Sequence, residues 1–367
     1  MPRFLTAGES HGPALLGIVE GLPAGLIVDA EAIDRDLARR QVGVGRSARM
    51  HIEHDHAEIV GGVVNGQTIG APVALRIENR DYANWKDKVV PPQTIPRPGH
   101  ADLAGTIKYE LDDLRLVAER ASARETAMRV ACGSLARLLL AEFNIVIGSH
   151  VLEIGGVQAD VLDLPYPEIF ALAQASDVCV ADVASAERIA ARIKDVMYDQ
   201  DTVGGVIEIV ALNVPVGLGS HVHWDRKLDG RLAQAVMSIQ SVKGVEIGPA
   251  FENARRMGTE VQDEILPPMI RETNRAGGLE GGITNGQPIV MRAALKPIAT
   301  TAKSLRSVDL ATGQPALAQY QRSDFCHVPR ACVIGEAMVA WVLADALMEK
   351  LGGDSIREMK AHWESLR

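Results

Sequence analysis

Gly61-Gly62-Val63-Val64-Asn65-Gly66-Gln67-Thr68-Ile69 is matched 220 positions later by Gly281-Gly282-Ile283-Thr284-Asn285-Gly286-Gln287-Pro288-Ile289. Each stretch holds an Asn-Gly pair between apolar, β-prone residues. Asn-Gly tolerates the positive φ that a two-residue turn requires, so the sequence predicts a hairpin at each pair. A second parallel lies upstream. Gly17-Ile18-Val19-Glu20-Gly21-Leu22-Pro23-Ala24-Gly25 resembles Ile209-Val210-Ala211-Leu212-Asn213-Val214-Pro215-Val216-Gly217, and both are strand-like runs closed by a Pro-x-Gly turn. A helix is expected after each, over Asp29–Arg40 and Asp225–Ile239. Strand, turn, helix and hairpin therefore recur in one order, which points to an internal duplication.

Between the copies, Ala127, Val130, Ala131, Leu135, Leu138, Leu139 and Phe143 recur at helical spacing, predicting a helix over Ala123–Phe143. Ser122 followed three residues later by Glu125 reads as a capping box at its start. A further helix is expected over Ala186–Met197. Val89–Gly99, with four prolines, reads as a long loop.

The 367 residues are 47% hydrophobic and 23% charged, with a formal net charge of −9. That balance fits a globular chain with a sizeable core and argues against a nucleic-acid backbone as main partner. No unbroken apolar run reaches the roughly 18 residues of a membrane span. Glu9 and His11 interrupt what a signal peptide needs to be apolar, so a cytoplasmic location is expected. Of the 38 basic residues 28 are Arg. The guanidinium fork suits carboxylate and phosphate, although coding bias produces the same excess. Cys132, Cys179, Cys326 and Cys332 lack CxxC spacing and read as reduced, packed thiols.

Gly43-Val44-Gly45-Arg46-Ser47-Ala48 fits the dinucleotide pattern formally, but a helix-like segment precedes it and strand-like alternation follows, the reverse of what that fingerprint needs. What survives is Arg40 and Arg46 beside a glycine turn, able to grip an anion. His51, His54 and His56, and separately His221 and His223, supply no third convergent ligand, and no metal site is expected. His11 in Gly8-Glu9-Ser10-His11-Gly12 is placed for proton transfer in a small-residue turn. Arg97-Pro98-Gly99-His100 sets a guanidinium beside an imidazole. Arg120-Ala121-Ser122-Ala123-Arg124 puts two guanidiniums at a helix start that itself attracts anions. Arg322-Ser323-Asp324 pairs an arginine with a carboxylate, which is more often an ordinary salt bridge.

Together these segments resemble the chorismate synthase family over almost the whole chain. The resemblance is carried by Gly8–Gly12, Arg97–His100, Arg120–Arg129 (RASARETAMR), Met237–Gly248 (MSIQSVKGVEIG), Ala276–Gln287 (AGGLEGGITNGQ), Lys296–Thr300 (KPIAT) and Arg322–Met338. Phe325 and Ala121 depart from the residues usual there. The resemblance implies an α+β (α/β) sandwich, helices between antiparallel sheets, with a pseudo-two-fold repeat. It implies one domain over 1–367, two intertwined repeats of about 1–120 and 200–340, and a homotetramer. It also implies anti-1,4-elimination of phosphate from 5-enolpyruvylshikimate 3-phosphate to give chorismate, with reduced FMN (FMNH2) and with NADPH as possible flavin reductant.

The resemblance further implies residue roles. His11, His100 and Asp324 correspond to catalytic positions. Arg120, Ala121, Ser122, Gln240, Ser241, Gly281, Lys296, Pro297, Ile298, Ala299, Thr300 and Arg322 correspond to FMN positions. Arg40, Arg46, Arg97, Ser122, Arg124 and Arg322 correspond to substrate positions, and Arg40 and Arg46 also to NADPH positions. Two alternatives remain open at this point. An NADPH-dependent flavin oxidoreductase would consume NADPH without the substrate, and a non-catalytic anion-binding or assembly protein would bind it without releasing product.

Overall fold

The computed structural model describes residues 2–45, 54–321 and 323–365. Two antiparallel sheets dominate. The first holds β1 (Arg3–Ala7), β2 (Ala14–Glu20), β3 (Ala57–Gly61) and β4 (Val73–Glu78), in the order β1-β2-β4-β3. The second holds β5 (Val146–Ile154), β6 (Val157–Gln158), β7 (Gly205–Leu212), β8 (Val242–Ile247) and β9 (Ile289–Leu295), in the order β8-β9-β7-β5-β6. The fold is α+β, with helices between the sheets as expected.

Along β2 burial alternates with the pleat. Leu15 and Val19 face the core, while Leu16 and Ile18 are exposed, and Leu5 lies opposite Ile18 on the same outer face. β7 is buried on both faces, and on its far side Val210 packs with Phe170 and Val290.

Among the described residues the longer helices, numbered along the chain, are α1 (Ala30–Arg40), α2 (Asp102–Tyr109), α3 (Leu114–Ala121), α4 (Thr126–Ala141), α5 (Tyr166–Ala175), α6 (Val183–Tyr198), α7 (Leu228–Met237), α8 (Val328–Leu351) and α9 (Ile356–Ser365). α1 starts where expected, because the Asp29 side chain accepts from the Glu31 N–H, and it ends on Arg39 and Arg40, the favourable charge for that terminus. α4 packs on β2 and β4, α8 packs on β5 and β7, and the two helices pack on each other. Gly133 permits their approach, since a Cβ there would lie 2.5 Å from Ala337 Cβ. The 24-residue α8, its sequence interrupted by Arg330, Glu336 and Asp345, still reaches a mean hydropathy of 1.8 over its most apolar window. It is long and apolar enough to cross a membrane, but 83% of that window is buried in the core.

Three local expectations change. The segment after Ser122 begins as a 3-10 turn, Ala123–Glu125, before α4. Ser122 accepts from Arg124 N at 3.3 Å, and Glu125 turns away to Arg129, Thr6 and Gln240, so no capping box forms. The helix expected from Asp225 splits into a 3-10 turn, Trp224–Arg226, followed by α7. The second hairpin turns at Gly281-Gly282 (φ +59° and +88°), not at Asn285-Gly286. The first does turn at Asn65-Gly66 (φ +51° and +75°).

That register brings equivalent threonines into place. Thr68 Oγ1 accepts from Leu26 N (3.0 Å) and donates to Pro23 O (2.6 Å). Thr284 Oγ1 accepts from Leu218 N (2.8 Å) and donates to Pro215 O (2.6 Å). One buried hydroxyl thus pins each hairpin to its Pro-x-Gly turn.

Glu336 ties the core layers together. It is fully buried, takes two 2.7 Å bonds from Arg39, one of 2.8 Å from Arg137, and one of 2.6 Å from Ser149. Burial alone would raise its pKa, but Arg137 and Arg39 hold it below the ordinary value. Glu336→Ala is expected to cost about 3–5 kcal/mol at neutral pH in urea unfolding, since it removes a fully buried carboxylate and leaves the partly buried guanidiniums of Arg39 and Arg137 without their counter-charge. A depressed folded pKa means stability that is present above the unfolded pKa of roughly 4.3 and lost as pH falls through the folded value. The difference between wild type and variant should therefore shrink in acid. A cost under about 1 kcal/mol at pH 7 would show that the pairs only offset their own desolvation.

Candidate active site

The loops at one end of α4 carry most of the functional side chains. His11 Nδ1 lies 2.7 Å from Glu119 Oε1, and the same carboxylate accepts from the His11 N–H at 2.7 Å. The ring stacks at a tilt on Trp85, with centroids 4.3 Å apart. Asn79 closes this turn by donating to the Glu9 and Gly12 carbonyls, while its Oδ1 accepts from Arg124 Nε at 2.8 Å. The His11 turn is thereby linked to a buried guanidinium.

Arg124 and Arg40 share Asp55. Arg124 Nη1 lies 2.6 and 2.8 Å from its two oxygens, and Arg40 Nη1 lies 3.5 Å from one of them. Arg40 also donates to Thr126 Oγ1 and to the Ala123 carbonyl, both at 3.0 Å. All three charged residues are buried. Desolvation pushes the Arg40 pKa down to about 10, Asp55 and Asp324 oppose that, and Arg124 and Arg330 add to it. Asp324 pairs with Arg330 in the first turn of α8, while Arg322, the neighbour the sequence offers it, lies outside the described residues. A field of three arginines against two aspartates is poised for an anion, because like charges out of water favour any group that neutralises them.

The third part forms around Asp102 at the start of α2. It accepts from Arg97 Nε (2.7 Å), Nη2 (3.0 Å) and N (3.1 Å), and its Oδ1 lies 2.5 Å from His100 Nδ1. Burial would raise its pKa, but His100 and Arg97 carry it well below the usual carboxylate range. An ionised Asp102 fixes the His100 proton on Nδ1 and leaves Nε2 facing outward. Arg97 Nη1 reaches Thr300 Oγ1 (3.2 Å), and Lys296 Nζ reaches the Gly99 carbonyl (2.6 Å). The Lys296–Thr300 segment therefore borders His100, with Ala299 3.7 Å from the Cβ position of Gly99 and the Ile298 carbonyl accepting from Thr202 Oγ1. Pro297 continues the same strand exit.

Gln240 and Ser241 adjoin this strip. Lys296 N donates to the Ser241 carbonyl (2.9 Å), with Ser241 in the left-handed region at φ +73°. Gln240 Nε2 is fixed on Glu125 (3.2 Å), and its Oε1 is buried with no partner among the described residues. An acceptor held this way suits a flavin N–H, and on that chemistry this corner fits FMN. Arg120 donates to Thr6 and Gly8 across the same corner, Ala121 ends α3, and Ser122 Oγ donates to Ser10 Oγ at 3.2 Å. Gly281 sits at the second hairpin's tip, outside this hydrogen-bond network. Arg46, Arg322 and His51 lie outside the described residues.

Sequence reasoning missed Asp55, Asn79, Asp102, Glu119 and Arg330. Only Asp102, two residues from His100, had a local signal. The others meet their partners through tertiary folding.

A family description, chorismate synthase, matches residues 2–348. The chorismate synthase of Geobacter sulfurreducens is 52% identical, covering 99% of this chain and 98% of that protein. That of Desulforudis audaxviator is 54% identical, covering 98% and 95%. A chorismate synthase crystal structure superposes with a TM-score of 0.82 at 44% identity, covering 100% of this chain and 97% of that one. With the arginine field and the two oriented histidines in place, the agreement extends from sequence to fold, and the chain belongs to the chorismate synthase family.

Proposed function

We propose that this site eliminates phosphate from 5-enolpyruvylshikimate 3-phosphate to form chorismate, in the shikimate route to aromatic amino acids, with reduced FMN beside the substrate. The observation that carries the residue assignment is the buried field of Arg40, Arg124 and Arg330 over Asp55 and Asp324. A substrate with two carboxylates and a phosphate is the ligand such a field favours. When bound, reduced FMN supplies electron density that helps expel phosphate from a framework whose C6 hydrogen is poorly acidic.

The chain's own residues do the rest. Gln240 Oε1, Arg120, Ala121, Ser122, Ser241 and Lys296–Thr300 would hold the flavin. His100, when doubly protonated, keeps its Nδ1 proton on Asp102 and delivers the proton on Nε2 to the departing phosphate oxygen. His11, oriented by Glu119, holds a proton beside the flavin position. Asp324 would assist proton movement near the flavin, and Arg40, Arg97 and Arg124 hold the substrate's anions away from water.

NADPH as the flavin's reductant rests on the resemblance alone. A homotetramer is supported by the exposed apolar face of Leu5, Leu16 and Ile18. The four free thiols suit a cytoplasmic location. Anaerobic incubation of the protein with FMN, dithionite and 5-enolpyruvylshikimate 3-phosphate tests the reading. Chorismate and phosphate in equal amounts are expected, and phosphate without chorismate would count against it.

A further inference from the structure

His327 immediately precedes α8, and both of its ring nitrogens are buried without a hydrogen-bond partner among the described residues. Arg330 Nη2, one turn further on, is in the same condition, while its Nη1 holds Asp324. A neutral imidazole carries one donor and one acceptor, and leaving both unmade away from water is unfavourable. Three such nitrogens within four residues mark a place where folding alone leaves polar capacity unused.

Three charged groups act on the ring: Asp324 from the preceding loop, Arg330 from α8 and Lys296 from the exit of β9. Burial lowers its pKa most, Asp324 opposes, and the two cations add, giving a value pushed down to about 4. The neighbouring Cys326 thiol is pushed up to about 11 by burial and contributes no charge at neutral pH. The ring is therefore neutral beside the arginine field.

Resting on the proposed chorismate-forming reaction, we propose that His327 and Arg330 form an additional oxyanion subsite, donating to a carboxylate or phosphate oxygen of the substrate beside Asp324. The substrate is favoured over the flavin because Arg330 and Asp324 act on Arg40, within the substrate's anion field. An anion seated there offsets Arg330 and Lys296, so the imidazole gains a proton as the substrate binds and donates as a cation. His327 differs from His100 and His11, each of which is already oriented by a carboxylate.

The test uses full-length protein with oxidised FMN, which permits substrate binding without turnover. His327→Val removes both unsatisfied nitrogens, so the ligand-free protein should lose no thermal stability. Substrate affinity should fall at least about tenfold, as for a lost charge-assisted hydrogen bond, with FMN affinity unchanged. His327→Gln, which keeps a donor but cannot titrate, should bind substrate with intermediate affinity. It should also abolish the proton uptake read by calorimetry in two buffers of different ionisation enthalpy. Should the Val variant fail to fold, the Gln variant decides through proton uptake. Substrate affinity unchanged in the folded variants, proton uptake retained by the Gln variant, or a loss confined to FMN would overturn the subsite. Chorismate formation by wild type, measured alongside, tests the underlying reaction separately.

Discussion

His100→Ala is expected to slow phosphate release in a single turnover by about 10²–10⁴-fold, the usual effect of removing a general acid. The magnitude follows from how the ring is held. Asp102 is buried, bound by Arg97 through three nitrogens, and ionised well into acid. His100 therefore keeps its Nδ1 proton and one orientation, and Nε2 is the nitrogen that gains and gives up a proton. Because the imidazole acts on a group that leaves, the loss should fall on turnover, with substrate affinity changed little. Asp102→Asn should slow the same step by releasing the tautomer. A His100→Ala variant with near-normal single-turnover rate would reduce His100 to a packing residue.

Asp324→Asn is expected to produce a comparable loss, about 10²–10⁴-fold, with a different side effect. Asn preserves shape and can still accept from Arg330, but it removes both the proton acceptor and the charge opposite a buried guanidinium. Some thermal stability should go with it, because a buried charge loses its counter-charge. A purely structural ion pair predicts the stability loss with turnover at saturation preserved. Measuring melting temperature, FMN affinity and single-turnover rate on one preparation separates the two, and a preserved rate would remove Asp324 from the mechanism.

Much of the fold was legible because periodicity and turn chemistry are local. The strand at Ala14–Glu20, the helix ending at Arg40 and the turn at Asn65-Gly66 follow from short-range rules. Asn285-Gly286 shows where such rules stop. The same dipeptide lies four residues beyond the position that Thr284 selects by bonding to Leu218 and Pro215. The sequence match at 220 positions is thus offset from the structural match of Thr68 with Thr284. Matched threonine pins in both halves support reading the chain as one domain of two intertwined repeats, about 1–120 and 200–340, which we propose on that ground.

The site was legible by type and incomplete in its partners. Arginines and histidines in glycine- and proline-bounded turns announce anions and proton transfer. Nothing local assigns Glu119 to His11 or Asp55 to Arg124, pairs 108 and 69 residues apart. Arg330 and His327 lie at the start of α8, and only the packed structure shows nitrogens left without partners there.

The most direct test of the central claim, a redox-neutral elimination dependent on reduced flavin, counts products against reductant. A limiting amount of FMN is reduced photochemically under argon, and 5-enolpyruvylshikimate 3-phosphate is added in large excess with no further electron source. Many molecules of chorismate per reduced FMN are expected, each matched by one phosphate, with no activity on oxidised FMN. Chorismate formation that stops at one per reduced FMN, and resumes only as NADPH is consumed one for one, would contradict it.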